Sequence, residues 1–324
     1  MAKRSLADQL DLLVEAILAG PGSPIPAADA RLTPLRRVAA GLRGLPSQAF
    51  QKRLKADLAK PKLPVSEGEP AAPAVRPIRE GFHTLTPYLS GPLELIDFVK
   101  RAFGGEELLR APGSAGGLHC EVRIGDSIVM IGVGGKPMPT SLHLYVEDTD
   151  AVYRRALEAG ATSTEKPVDQ PYGDREAGVR DLSGNDWYIA THRATGLAPE
   201  GLRTVTPYLH ARGAAEYVDF LDRALGAEEI DRATSPSGSI LHAKVRIGDS
   251  ILELGEAHGP YQPKPATFYL YVPDVDALYR RAVAAGAISQ AAPSDQPYGD
   301  RVASVADPSG NIWHVATHVR DVVP

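Results

Sequence analysis

The sequence predicts an α+β protein made of two tandem copies of one unit, preceded by a short helical segment. Three observations predict it. First, DQPYGDR at 169–175 returns at 295–301, and the echo is long: TPYL at 86 and 206, VRIGDSI at 122 and 245, LYV at 144 and 270, YRRA at 153 and 279, Ala-Thr-His at 190 and 316. The order is unchanged and the offset drifts only from 120 to 126 residues, so short insertions separate two copies of one structural unit. Second, hydrophobic periodicity switches between strand and helix in the same order in each copy. Third, 324 residues with 43% hydrophobic content and net charge −5 describe an ordinary globular chain of about two domains.

Element by element, residues 5–19 read as a helix, with Leu6, Leu10, Leu13 and Ile17 on one face and Gly20-Pro21 as its stop. Further short amphipathic helices are expected at about 33–44 and from Ser47, which completes an N-terminal segment at 1–59. Residues 60–79 carry five prolines and no periodicity and read as a linker. The repeated units follow at 80–194 and 200–320. In the first, HTLTPYLS alternates like a strand, and PLELIDFVKRAFG reads as a helix with Pro92 at its start and Gly104 past its end. LHCEVRIG and DSIVMIG read as a hairpin, SLHLYVE as a strand, DTDAVYRRALEAG as a helix capped by Asp and ended by Gly160, and DWYIATH as the closing strand. The result is β-α-β-β-β twice per unit, four times in the chain.

The single cysteine, Cys120, excludes an intramolecular disulfide framework and suits a reducing compartment. No apolar run reaches the length of a membrane span, and the acids inside the first apolar stretch argue against a signal peptide. A cytoplasmic protein with no membrane and no nucleic-acid partner is expected. Residues 1–60 hold ten Lys/Arg against five Asp/Glu, which fits a solvated helical face; the alternative is a partner contact through the N-terminal helices.

The order of TPYL, the RIGDS hairpin, HLYVEDTDAVYRRALEAGA, YGDR and DLSGNDWYIATH resembles the vicinal oxygen chelate superfamily of glyoxalases, bleomycin resistance proteins and dioxygenases, and within it the PhnB-like branch. The resemblance implies paired βαβββ modules curled into an incomplete barrel around a cleft, and an intramolecular pseudo-dimer. Strand alternation then sorts the residues facing that cleft: Thr84 and Tyr88, His119, Met130, His143 and Tyr145, and Tyr188 in the first unit; Tyr208, His242, Glu253, Tyr269 and Tyr271, and His314 in the second. Trp187 and Trp313 alternate onto the helix side and read as core.

Metal enzymes of the superfamily take one His, Gln or Glu ligand from each of four strands. The matching positions here are Thr84, Met130, His143 and Tyr188 in the first unit and Thr204, Glu253, Tyr269 and His314 in the second. Neither unit has a full donor set. A divalent metal ion, if bound, would use Glu253 with His314 when modules pair within a unit, or with His143 when they pair across units. DQPYGDR, retained where presumed ligands differ, reads as a structural loop in which Asp and Arg pair, with Tyr172 and Tyr298 at the rim; His192 and His318 read as structural too. The leading expectation is a protein that binds or sequesters a small, aromatic ligand. The alternatives are a divalent-metal-dependent lyase, isomerase or dioxygenase with one surviving site, and a scaffold whose N-terminal helices bind a partner.

Overall fold

A computed structural model describes residues 77–113, 116–194 and 196–322; the expected N-terminal helices lie outside them. Each module opens with a strand, crosses by a helix and returns as three antiparallel strands. The first holds β1 (Leu85–Gly91), α1 (Glu94–Phe103), β2 (Glu106–Pro112), β3 (Leu118–Ile124) and β4 (Ser127–Val133). The second holds β5 (Ser141–Tyr145), α2 (Thr149–Glu158), β6 (Thr162–Asp169), β7 (Arg175–Arg180) and β8 (Asp186–Thr191). In the third are β9 (Val205–Ala211), α3 (Ala214–Leu225), β10 (Glu228–Thr234), β11 (Ile240–Ile247) and β12 (Ser250–Glu256). The fourth comprises β13 (Thr267–Tyr271), α4 (Val275–Ala284), β14 (Ile288–Asp295), β15 (Asp300–Ala306) and β16 (Ile312–His318).

Local chemistry explains the helix limits. Asp148 and Asp274 cap α2 and α4 by accepting from the backbone N–H of Ala151 and Ala277, both at 2.9 Å. Gly104 ends α1 in the left-handed region at φ 71°. Strands β2, β6, β10 and β14 were not read from the sequence, because both their faces are largely exposed and no alternation marks them.

The modules pair across the repeats. One eight-stranded sheet runs β14-β15-β16-β13-β1-β4-β3-β2, joining the first module to the fourth; the other runs β10-β11-β12-β9-β5-β8-β7-β6, joining the third to the second. The seams are the antiparallel pairs β1–β13 and β5–β9. Each sheet curls without closing as a barrel: Pro112 on one edge strand and Ala291 on the opposite edge line the same cavity. The cores, by contrast, follow the repeats. One gathers α1, α2 and their strands around Trp187, which is fully buried; the other gathers α3 and α4 around Trp313, 1% exposed. Both tryptophans are core, as alternation indicated. The indole N–H of each donates at 2.9 Å to a buried carboxylate, Asp181 or Asp307, which also holds the Ser-Gly-Asn turn before the strand.

The repeated GDS turn fastens the exchange. Asp249 accepts from Thr84 N at 2.8 Å while Ser250 Oγ accepts from Leu85 N at 3.1 Å; reciprocally, Asp126 accepts from Thr204 N at 2.9 Å and Ser127 Oγ from Val205 N at 3.0 Å. Each hairpin thus pins the start of the other repeat's first strand. His83 joins one side of the clasp at 3.0 Å from Asp249, and Arg203 stands in the corresponding place 3.4 Å from the same carboxylate.

DQPYGDR acts as a corner brace. Arg175 grips Asp169 at 2.9 Å and Asp150 at the start of α2, and Asp174 accepts from His192 Nδ1 at 2.8 Å. The second copy repeats this with Arg301 on Asp295 and Asp276 and with Asp300 on His318 at 2.7 Å.

Candidate functional site

Two cavities lie against the curled faces, one per sheet, of about 600 and 710 Å³. The first is built on β1, β4, β13 and β16, whose register sets Tyr88 beside Met130 and Tyr269 beside His314. Its polar groups are largely matched to one another. Tyr88 donates to His119 Nδ1 at 3.0 Å, and His119 Nε2 donates to Glu121 at 3.2 Å. Glu121, 3% exposed, also accepts from Arg79, whose guanidinium stacks 4.1 Å over the Phe82 ring. Burial alone would raise the Glu121 carboxyl, but these donors hold it below the usual range. Tyr269 and Tyr271 both donate to Asp300, at 2.7 and 3.0 Å. His314 shares a hydrogen bond with Ser304 Oγ at 2.7 Å, and burial lowers its imidazole to about 4, so it is neutral at neutral pH.

The second cavity has a different centre. His143 on β5 donates from Nδ1 to Glu253 on β12 at 2.9 Å and from Nε2 to Glu176 on β7 at 3.2 Å. His242 on β11 donates to the other Glu253 oxygen at 3.1 Å. Burial would depress the His143 pKa, but the charge of Glu253 and both hydrogen bonds outweigh it and push it up to about 10. Glu253, 2% exposed, would be raised by burial, yet the adjoining imidazolium carries it down to about 2. The wall is aromatic: the rings of Tyr188 and Tyr208 meet edge to face at 5.7 Å, and His210 and Tyr261 continue the surface.

Of the thirteen pocket residues expected from the sequence, Tyr88, His119, Met130, Tyr269, Tyr271 and His314 line the first cavity. His143, Tyr145, Tyr188, Tyr208, His242 and Glu253 line the second. Thr84 lines neither: it is 7% exposed and held in the inter-repeat clasp, because its strand begins one residue later, at Leu85. The metal candidates are divided as well. Glu253 meets His143, but His314 sits on the other sheet, because pairing across repeats separates them. Glu176, Arg79 and His210 were missed. Glu176 follows the repeated loop on a strand whose second copy has Val302, and that Glu-for-Val difference was the available signal.

The donors do not fit a divalent ion as arranged. His143 lies between Glu253 at 2.9 Å and Glu176 at 3.2 Å, so each of its nitrogens is engaged by a carboxylate rather than left toward a common centre. The remaining positions from the superfamily pattern, Tyr188 and Thr204, supply hydroxyls, and the Thr204 hydroxyl accepts from Asp126 N in the clasp at 3.4 Å. Among the described residues, no group of three or more His, Cys, Asp or Glu is set to hold a metal ion.

The profile of the glyoxalase/bleomycin resistance protein/dioxygenase superfamily matches residues 209–315. An uncharacterized protein of Mycobacterium bovis is 36% identical over 129 residues, 36% of this chain and 85% of that one. The chain belongs to the glyoxalase/bleomycin resistance protein/dioxygenase superfamily. Glyoxalase I from Zea mays superposes with a TM-score of 0.56 at 14% identity, covering 72% of this chain and 92% of its own. A putative dioxygenase from Bacillus subtilis gives 0.50 at 15% identity, covering 74% and 86%. These likenesses give the superfamily fold: open curled sheets in an α+β chain of two tandem units. Among the described residues, no helix is long and apolar enough to cross a membrane.

Proposed function

We propose that this superfamily member is a small-molecule binding protein whose ligand sits in the cavity walled by Tyr188, Tyr208 and Tyr261. The observation that carries this reading is the state of His143: its two nitrogens are committed to Glu176 and Glu253, so the strand positions that would hold an ion instead hold one another. The space is about 710 Å³, of the size that encloses a drug-sized molecule, and its walls are aromatic with a few fixed polar groups. A single chain, acting as its own pseudo-dimer, would do this in the cytoplasm without a cofactor. The motifs' resemblance to the PhnB-like branch points the same way.

The competing reading is a divalent-metal-dependent lyase, isomerase or dioxygenase, and it draws on Glu253 and His143 lying 2.9 Å apart. Metal analysis of untagged protein purified without chelators separates the two readings. The binding reading expects no stoichiometric metal even after soaking with divalent ions, and slow-exchange shifts of cavity resonances on adding small aromatic probes. Near-stoichiometric metal that is lost in Glu253→Ala would refute it.

A further inference from the structure

We propose that the larger cavity takes a planar organic cation of the amidinium or guanidinium class, an inference that rests on the binding reading above. Its lining carries six carboxylates, Glu165, Asp174, Glu176, Asp231, Glu253 and Glu256, against the cations Lys244 and His143. Four of the six are answered locally. Asp174 takes the His192 proton, Glu256 accepts two backbone N–H groups at the start of α3, and Glu253 holds His143 and His242. Glu176 shares His143 with Glu253 and accepts from Tyr172, but Glu165 and Asp231, at opposite rims, have no ion-pair partner among the described residues, Asp231 lying across the β10–β11 ladder from Lys244.

The Tyr145 hydroxyl is a second, independent polar group turned to this cavity. Tyr145 is 3% exposed and lines this cavity, yet its hydroxyl has no hydrogen-bond partner among the described residues. Its counterpart Tyr271, one repeat later, donates to Asp300 at 3.0 Å. The hydroxyl opens onto the cavity with no protein group claiming it, where a polar ligand atom can pair with it.

The protein's internal symmetry indicates the kind of atom. Arg79 and Pro199 are separated by the same 120 residues as the two TPYL motifs, and each lines its own cavity. In the first, the Arg79 guanidinium answers the buried Glu121 and stacks on an aromatic ring. In the second the place of Arg79 holds Pro199 and that of Glu121 holds Lys244, so this internal pair is absent, while aromatic rings remain and the six carboxylates still outnumber Lys244 and His143. The first cavity shows how this fold holds a guanidinium, between a carboxylate and an aromatic ring, and the second offers carboxylates and aromatic faces to an external one; flat cations gain from both.

Titration calorimetry of the full chain with benzamidine, its neutral isostere benzamide and the anion benzoate tests this. Benzamidine should bind with one equivalent and at least about tenfold more tightly than benzamide, with benzoate weakest. The double variant Glu165→Gln/Asp231→Asn, at rim positions outside the core, should weaken benzamidine several-fold without shifting the melting temperature. Arg79→Ala, which unmasks Glu121, should add a second equivalent. Equal affinity for benzamidine and benzamide would overturn the cation assignment and leave the binding reading standing. If no probe binds, and cavity resonances do not move with any of the three, both fall together.

Discussion

Replacing His143 with leucine would leave Glu253, 2% exposed, facing Glu176 with no cation between them. Removing one partner from a buried ion pair costs about 3–5 kcal/mol, since the surviving charge stays desolvated. For a folded unit of this size, 1 kcal/mol moves the melting temperature by about 2–4 °C, so a fall of roughly 6–20 °C is expected near neutral pH. The pH dependence is the sharper test. The His143 pKa is raised to about 10, so its contribution is complete below the ordinary histidine value near 6.5 and fades as pH rises toward 10. The Glu253 pKa is lowered to about 2, so its contribution is complete above about 4.5 and fades as pH falls toward 2. The gap between wild type and His143→Leu should therefore be widest between about pH 4.5 and 6.5 and narrow on both sides, as followed by calorimetry across pH. A gap below about 1 kcal/mol that stays flat with pH would refute an ion-paired imidazolium and leave an ordinary neutral hydrogen bond.

Further outcomes follow from other parts of the fold. Nitrogen-15 spectra should show His143 doubly protonated throughout the neutral range and His314 neutral until the pH falls to about 4; a matching midpoint for both would contradict their opposite surroundings. Gly248→Ala should cost about 1–3 kcal/mol in urea unfolding, because φ is +60° and a Cβ would lie 2.3 Å from Thr84 Oγ1 in the clasp. Asp307→Ala should cost about 3 kcal/mol or more, because it strips the acceptor from Trp313, Asn311 and Tyr217 together; a loss under 1 kcal/mol would mean these donors find other partners. Tyr145→Phe should leave stability within about 0.5 kcal/mol of wild type, since no protein bond is lost, while benzamidine affinity drops.

The repeat and the period switches made the module order readable, and alternation sorted Trp187 and Trp313 into the cores and Tyr188 and His314 onto the cavities because strand sidedness is a local property. The edge strands were not legible: Glu106–Pro112 has no buried face to impose alternation. Pairing across repeats was not legible either, since adjacency in the chain says nothing about which module's first strand will meet which. That one unknown decided the site, placing Glu253 with His143 rather than with His314. Arg79 was hidden for a related reason. It lies in a proline-rich stretch that reads as linker, yet the chain there packs on the body, with the Pro77 carbonyl accepting from His318 N at 3.0 Å.

Because cores follow the repeats while sheets cross them, each cavity has mixed parentage, one module from either copy. After the duplication, a substitution such as Glu for Met at 253 against 130, or His for Tyr at 143 against 269, alters a single cavity and leaves its sister untouched. Yet neither copy can be discarded, since half a chain carries half of each cleft. Such a molecule can specialise one chamber while the other keeps an older chemistry, and both remain under selection through the same two hydrophobic cores.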